Sequence, residues 1–139
     1  MKPPIKIEID EAPSREDRNF LERAIDHFNA RTVPGRDQRF AILLRDAEGA
    51  LVGGLDGVIG WEWLFVDNLW VHDALQRRGH GGDLLARGER YALEHGCHSV
   101  WLETFQARGF YEKQGYSVFG SLPDYPAGQT RYFLKKRLE

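Results

Sequence analysis

Ile5, Ile7 and Ile9 alternate with Lys6, Glu8 and Asp10, the period-two pattern of a half-buried strand. Pro13 and Ser14 end it. Ser14, with Asp17 three residues on, resembles a capping box. Phe20, Leu21, Ala24, Ile25 and Phe28 then recur at helical spacing, which predicts a helix through Ala30. Residues 31–37 contain Pro34-Gly35 and read as a loop. Residues 40–45 are apolar and strand-like, Asp46-Ala47-Glu48-Gly49 is a turn, and residues 51–59 form the next strand. Gly53, Gly54 and Gly57 predict bends or bulges in it. Gly60 allows another turn, and residues 61–71 are the central strand.

After a short polar step, a helix is predicted over residues 79–95, burying Leu84, Leu85, Tyr91 and Ala92, with Gly96 as its natural C-terminal stop. Residues 99–104 are a strand and residues 107–114 a short helix halted by Gly115. Strands at 116–119 and 131–135 flank a Pro- and Gly-containing loop at 122–128. The order β-α-β-β-β-α-β-α-β-β predicts an α/β (α+β) fold, a mixed sheet with helices on both faces. With no repeat, low-complexity tract or linker, residues 1–139 read as a single domain.

Composition narrows the classes. Hydrophobic residues at 42% and charged residues at 29% suit an ordinary globular protein. The net charge of −2 offers no bulk attraction to nucleic acid. One cysteine, Cys97, permits no internal disulfide, and a cytoplasmic setting is the expectation. Pro3, Pro4 and alternating charge do not read as a secretory leader. No uncharged apolar run approaches the roughly 20 residues that span a membrane. The His95, Cys97 and His98 spacing is that of a turn, so no metal site is expected. Cys97 reads as packing, and Lys135-Lys136-Arg137 as a solvated strand end.

The chemistry concentrates where the central strand meets Gln76-Arg77-Arg78-Gly79-His80-Gly81-Gly82. The first turn of a helix has N–H groups without intrahelical partners and a partial positive charge. Glycines there let a ligand approach the backbone, which suits phosphate oxygens. No Lys-Ser/Thr follows, so this is not a Walker A loop. Leu84 stands where a Rossmann fingerprint needs its third glycine.

The pattern Gln-x-x-Gly-x-Gly resembles the pyrophosphate loop of the GNAT acetyltransferases. Downstream, Ala107-Arg108-Gly109-Phe110-Tyr111-Glu112-Lys113-Gln114-Gly115-Tyr116 resembles a second segment of the same family. The closing Arg131-Tyr132-Phe133-Leu134-Lys135-Lys136 resembles a group of small bacterial members of unassigned substrate. The resemblance covers essentially the whole chain. It implies a twisted, mostly antiparallel sheet of six to seven strands, splayed between its fourth and fifth strands, here residues 61–71 and 99–104. Acetyl-CoA would enter the split. Its pantetheine would pair with backbone near Leu69, Trp70 and Val71, and its pyrophosphate would lie over Gln76, Arg77, Arg78, Gly79, His80, Gly81 and Gly82.

Further roles follow from the same resemblance. Tyr111 matches the family's catalytic tyrosine, whose phenol, with a reference pKa of about 10, is protonated at neutral pH and can donate to the departing sulfur. The family's amine-deprotonating carboxylate matches Asp67 best, then Glu103, then Glu62. A core aromatic and a salt-bridged carboxylate are the structural alternatives for these residues. Thr104 stands where many members carry a cofactor-contacting Asn. The implied activity is direct transfer of an acetyl group from acetyl-CoA to an amine in a ternary complex, without a metal. A small-molecule amine is the expected acceptor, walled by residues 28–36, the aromatics Trp61, Trp63 and Phe65, and the Asp124-Tyr125-Pro126 loop. Cations sit well over such aromatic faces. The same aromatics equally suit a core or a homodimer interface. A non-catalytic acetyl-CoA-binding module, a protein-lysine acetyltransferase and a general nucleotide-phosphate binder remain open.

Overall fold

The chain divides into two compact units, residues 1–36 and 37–139. The computed structural model describes residues 3–35 of the first and all of the second. The first unit holds helix α1 (Arg15–Ala30). Ser14 caps it with extended backbone, its hydroxyl accepting the Asp17 N–H at 3.0 Å. Glu16 and Asp17 lie in the first turn, where negative charge complements the helix dipole. The strand predicted at Ile5, Ile7 and Ile9 does not form: residues 3–10 have no regular structure. A strand is held by a neighbour that takes up its N–H and C=O groups. Among the described residues of this unit there is no second strand. Alternation alone therefore does not produce one.

The second unit is built on six strands: β1 (Gln38–Arg45), β2 (Leu51–Gly60), β3 (Trp63–Val71), β4 (Ser99–Thr104), β5 (Ser117–Pro123) and β6 (Thr130–Arg137). The sheet order is β1-β2-β3-β4-β6-β5, antiparallel except for the parallel β3–β4 pair. The central strand and its split partner are thus the third and fourth strands rather than the fourth and fifth.

Short-range chemistry sets the hairpins. Asp46 Oδ1 accepts from the Glu48 and Ala50 N–H groups at 2.9 Å, and Gly49 supplies a left-handed residue (φ 84°), closing β1 onto β2. The next turn falls one residue later than Gly60 predicts. Trp61 and Glu62 form it with φ of 48° and 69°, while Gly60 pairs with Trp63 in the ladder. Two consecutive left-handed residues match the twist of the strands they join. Trp61 therefore leaves the aromatic ladder expected with Trp63 and Phe65.

A parallel pair needs a crossover, supplied by α2 (His80–Glu94). It lies across β1, β2 and β3. Gly88 permits a close approach: a Cβ there would stand 3.1 Å from Leu55 Cδ1. Leu55, Leu64, Leu85, Val100, Leu102 and Leu134 are the largest fully buried side chains. The short helix α3 (Arg108–Lys113) follows β4. Among the described residues no helix is long and apolar enough to cross a membrane. Leu55→Ala should cost about 2–5 kcal/mol of stability, read by denaturant unfolding, because rigid neighbours on sheet and helix cannot collapse into the space.

Candidate active site

β3 and β4 pair over three positions only: Trp63↔Ser99, Leu64↔Val100 and Phe65↔Trp101. Beyond Phe65 the two strands part. Residues 66–71 of β3 keep their antiparallel partner β2 on the other edge, with one interruption. Asp56 pairs with Asn68 and Gly57 with Val66, leaving Asp67 on a bulge. Gly57 makes this possible, since a Cβ there would stand 2.5 Å from the Phe65 carbonyl oxygen.

A groove of about 420 Å³ opens at the free end of β3. Its walls include Leu69, Trp70 and Val71, the turn residues Gln76, Arg77, Gly79, His80, Gly81 and Gly82, and Tyr111 from α3. Thus nine of the ten residues expected to hold the cosubstrate border one cavity with the expected acid; Arg78 is the tenth and does not line it. Asp67 and Glu103 are also outside its walls. Leu75, Ala107 and Phe110 complete the lining and were not anticipated. Phe110 was legible in the same segment as Tyr111, where two adjacent aromatics on a six-residue helix must face different surroundings.

The turn is built locally. A 3-10 turn (Asp73–Leu75) follows β3, started by His72 Nδ1 accepting the Ala74 N–H at 3.1 Å. Gln76 Nε2 donates to the Val71 carbonyl at 3.0 Å, tying the turn to the strand end. Arg77 (φ 65°) and Gly79 (φ 83°) are both left-handed. For arginine that conformation is costly, of the kind held in place at functional sites. Gly79 is the N-cap of α2 and offers no side-chain cap, so the first N–H groups of the helix are not taken up that way. Gly81 and Gly82 also serve packing: a Cβ on either would reach Phe110 or the Gln114 amide at 3.4 Å.

Tyr111 is buried, and burial pushes its phenol above the usual value. The phenol is therefore protonated at neutral pH. Thr104 Oγ1 accepts the Gln106 and Ala107 N–H groups, at 3.3 and 3.1 Å, so this hydroxyl shapes the entry to α3.

The two carboxylates expected to accept a proton each lie two residues past the last β3–β4 pair, one on each strand. Had the pairing continued in register, Asp67 would lie beside Glu103. Each instead faces its own arginine: Asp67–Arg39 at 3.5 Å and Glu103–Arg131 at 3.2 Å. Glu62 is in the β2–β3 turn, 3.6 Å from His98 Nε2. Phe65 and Trp101 rings lie 4.4 Å apart. The Arg131 guanidinium lies 4.0 Å over Tyr125, and its Nε is buried without a hydrogen-bond partner. Of the expected acceptor walls, Arg36 lies outside the described residues. Cys97 is buried, which pushes its thiol up, with Glu62 adding to the effect. Among the described residues no three His, Cys, Asp or Glu side chains are grouped to hold a metal ion.

The model of the Acetyltransferase (GNAT) family matches residues 5–116. Blasticidin-S acetyltransferase of Streptomyces morookaense is 47% identical over 93 residues, covering 65% of this chain and 68% of that one. An acetyltransferase crystal structure from Agrobacterium tumefaciens superposes with a TM-score of 0.91 at 26% identity, over 96% of this chain and 100% of that one. An aminoglycoside 6'-N-acetyltransferase complexed with coenzyme A shares the fold, with a TM-score of 0.65 at 18% identity, over 86% of this chain and 84% of that one.

The buried phenols predict alkaline sensitivity. Burial raises Tyr111, and burial together with the Glu89 carboxylate raises Tyr116. Above the ordinary phenol value of about 10 the unfolded chain releases these protons while the folded chain keeps them, so stability falls as pH rises. Melting temperature should fall progressively as pH rises past about 10, and Tyr111→Phe should flatten the slope.

Proposed function

The chain belongs to the GNAT acetyltransferase family, and from that premise we propose that it transfers an acetyl group from acetyl-CoA directly to the amine of a small molecule. The observation that carries this reading is one of place. The free backbone of β3, the glycine turn opening α2 and Tyr111 border one groove. When bound there, acetyl-CoA supplies an acetyl group activated as a thioester. N–H groups of residues 79–82, with Arg77 and Arg78 nearby, receive its pyrophosphate. Beyond Phe65, β3 has lost its β4 partner. Its free N–H and C=O groups suit the amide-bearing pantetheine arm, much as an added strand would. Donors on that edge also polarise the thioester carbonyl.

Tyr111 holds its proton until the sulfur leaves and then donates it. Asp67, on the bulge beside the gap, accepts the amine proton directly or through water, with Glu103 as the alternative on the facing strand. Much of the acceleration comes from holding both substrates in line. The scheme asks for no metal. A small-molecule acceptor agrees with the blasticidin-S acetyltransferase that is 47% identical. It also agrees with the Phe65–Trp101 pair beside two carboxylates, a surface that favours a cation.

Release of free CoA thiol over a panel of amines that includes blasticidin S tests the reading. Tyr111→Phe should lower kcat by roughly 10²–10⁴-fold, the range for a lost general acid, with the KM for acetyl-CoA little changed. Tight CoA binding with no turnover on any amine would instead identify a binding module. In a second measurement, Asp67→Asn should flatten the acidic limb of the pH–rate profile. An unchanged profile removes Asp67 from the role.

A further inference from the structure

A polar cluster outside the groove joins α2, β6 and the turn after α3. Glu89 on α2 has a side chain only 13% exposed, and both of its oxygens are engaged. Oε2 accepts the Tyr116 hydroxyl at 2.7 Å, and Oε1 accepts Lys136 Nζ at 2.9 Å. Lys136 also donates to the carbonyl of Gln114, the C-cap of α3, at 3.0 Å. Its stem passes over the left-handed Gly115, where a Cβ would meet Lys136 Cε at 3.4 Å. Lys136 is therefore not the solvated strand end that Lys135-Lys136-Arg137 suggests. A carboxylate this buried is costly unless its lone pairs are met by strong donors. Here they are met from two different elements.

One contact separates the cluster from Tyr111. The Tyr116 N–H donates to the Tyr111 carbonyl at 3.1 Å, and the two rings meet edge to face at 5.8 Å. α3 has six residues and no side-chain cap at its start. A helix so short does not hold itself in place. Its orientation comes from what grips its ends. α2 begins at the glycine turn and carries Glu89 further along the same rigid rod.

We propose that Glu89 is the positioning residue for Tyr111: by gripping Tyr116 and Lys136 it locks the turn that ends α3 and sets the phenol's place relative to the glycine turn of α2. This rests on the reading of Tyr111 as the proton donor. A glutamine at 89 puts an NH2 group where one of the two accepting oxygens stood and removes the charge that faces Lys136, so it cannot accept at both positions. The phenol then loses its register without losing its chemistry.

A double-mutant cycle of Glu89→Gln with Tyr111→Phe tests this, using acetyl-CoA and the panel amine that wild type acetylates fastest. In the wild-type background Glu89→Gln should lower kcat roughly tenfold, as a small misplacement of a reacting group does, and leave the KM for acetyl-CoA unchanged. In the Tyr111→Phe background it should cost nothing further, because the group it positions is gone. Glu89→Asp should restore part of the rate. Equal losses in both backgrounds overturn the proposal and make Glu89 a fold brace only. A Tyr111→Phe protein as fast as wild type is a different result: it defeats the proton-donor reading, and the proposal with it. Should Glu89→Gln not fold, Tyr116→Phe removes only the hydroxyl, and the same cycle applies, with additive losses again counting against the proposal.

Discussion

The structure of residues 37–139 depends on how long β3 and β4 stay paired. Three residues of each are joined, and then the strands part. Parallel ladders are somewhat weaker per residue than antiparallel ones. Two residues past the last pair each strand carries a carboxylate, Asp67 and Glu103, each facing an arginine. Like charges side by side across strands oppose pairing. On their outer edges both strands remain paired, β3 with β2 apart from the bulge at Asp67, and β4 with β6. The sheet therefore opens between the pair without coming apart, and it leaves unspent hydrogen-bonding groups in the gap.

α2 makes the opening useful. It is the crossover that lets β4 lie parallel to β3, and its length and Gly88 seat it closely on the sheet. The same helix begins in a turn whose left-handed Arg77 and Gly79 line the groove. Glu89, further along, reaches the far end of α3 through Tyr116 and Lys136. The turn proposed to receive the pyrophosphate and the proposed brace on Tyr111 thus share one rigid element. Their relative placement is set by helix geometry rather than by loops.

Charge is used sparingly. The net charge of −2 is close to neutral, and the pairs that matter are local. Asp67 and Glu103 face arginines on the sheet, Glu89 faces Lys136, and burial pushes the Tyr111 phenol up. One side of the gap carries Phe65, Trp101 and two carboxylates, whereas the turn opening α2 is glycine-rich and carries Arg77. That asymmetry suits the proposed reaction, with an amine on the first side and a diphosphate on the second.

What the sequence determined by itself were the local features. The six strands and both helices of residues 37–139 were legible in it, because turn chemistry and hydrophobic period act over a few residues. Ser14, Asp46, Gly49, Gly79 and Gly96 mark boundaries within a residue or two. The glycine turn and the Phe110-Tyr111 segment were legible for the same reason: each is a contiguous motif. Tertiary structure decided the rest. Whether Ile5, Ile7 and Ile9 form a strand depends on a partner, not on alternation. The bulge at Asp67 and the capture of Lys136 by Glu89 arise from contacts between different elements of the fold. Periodicity carries the direction a side chain points, but not what stands opposite it.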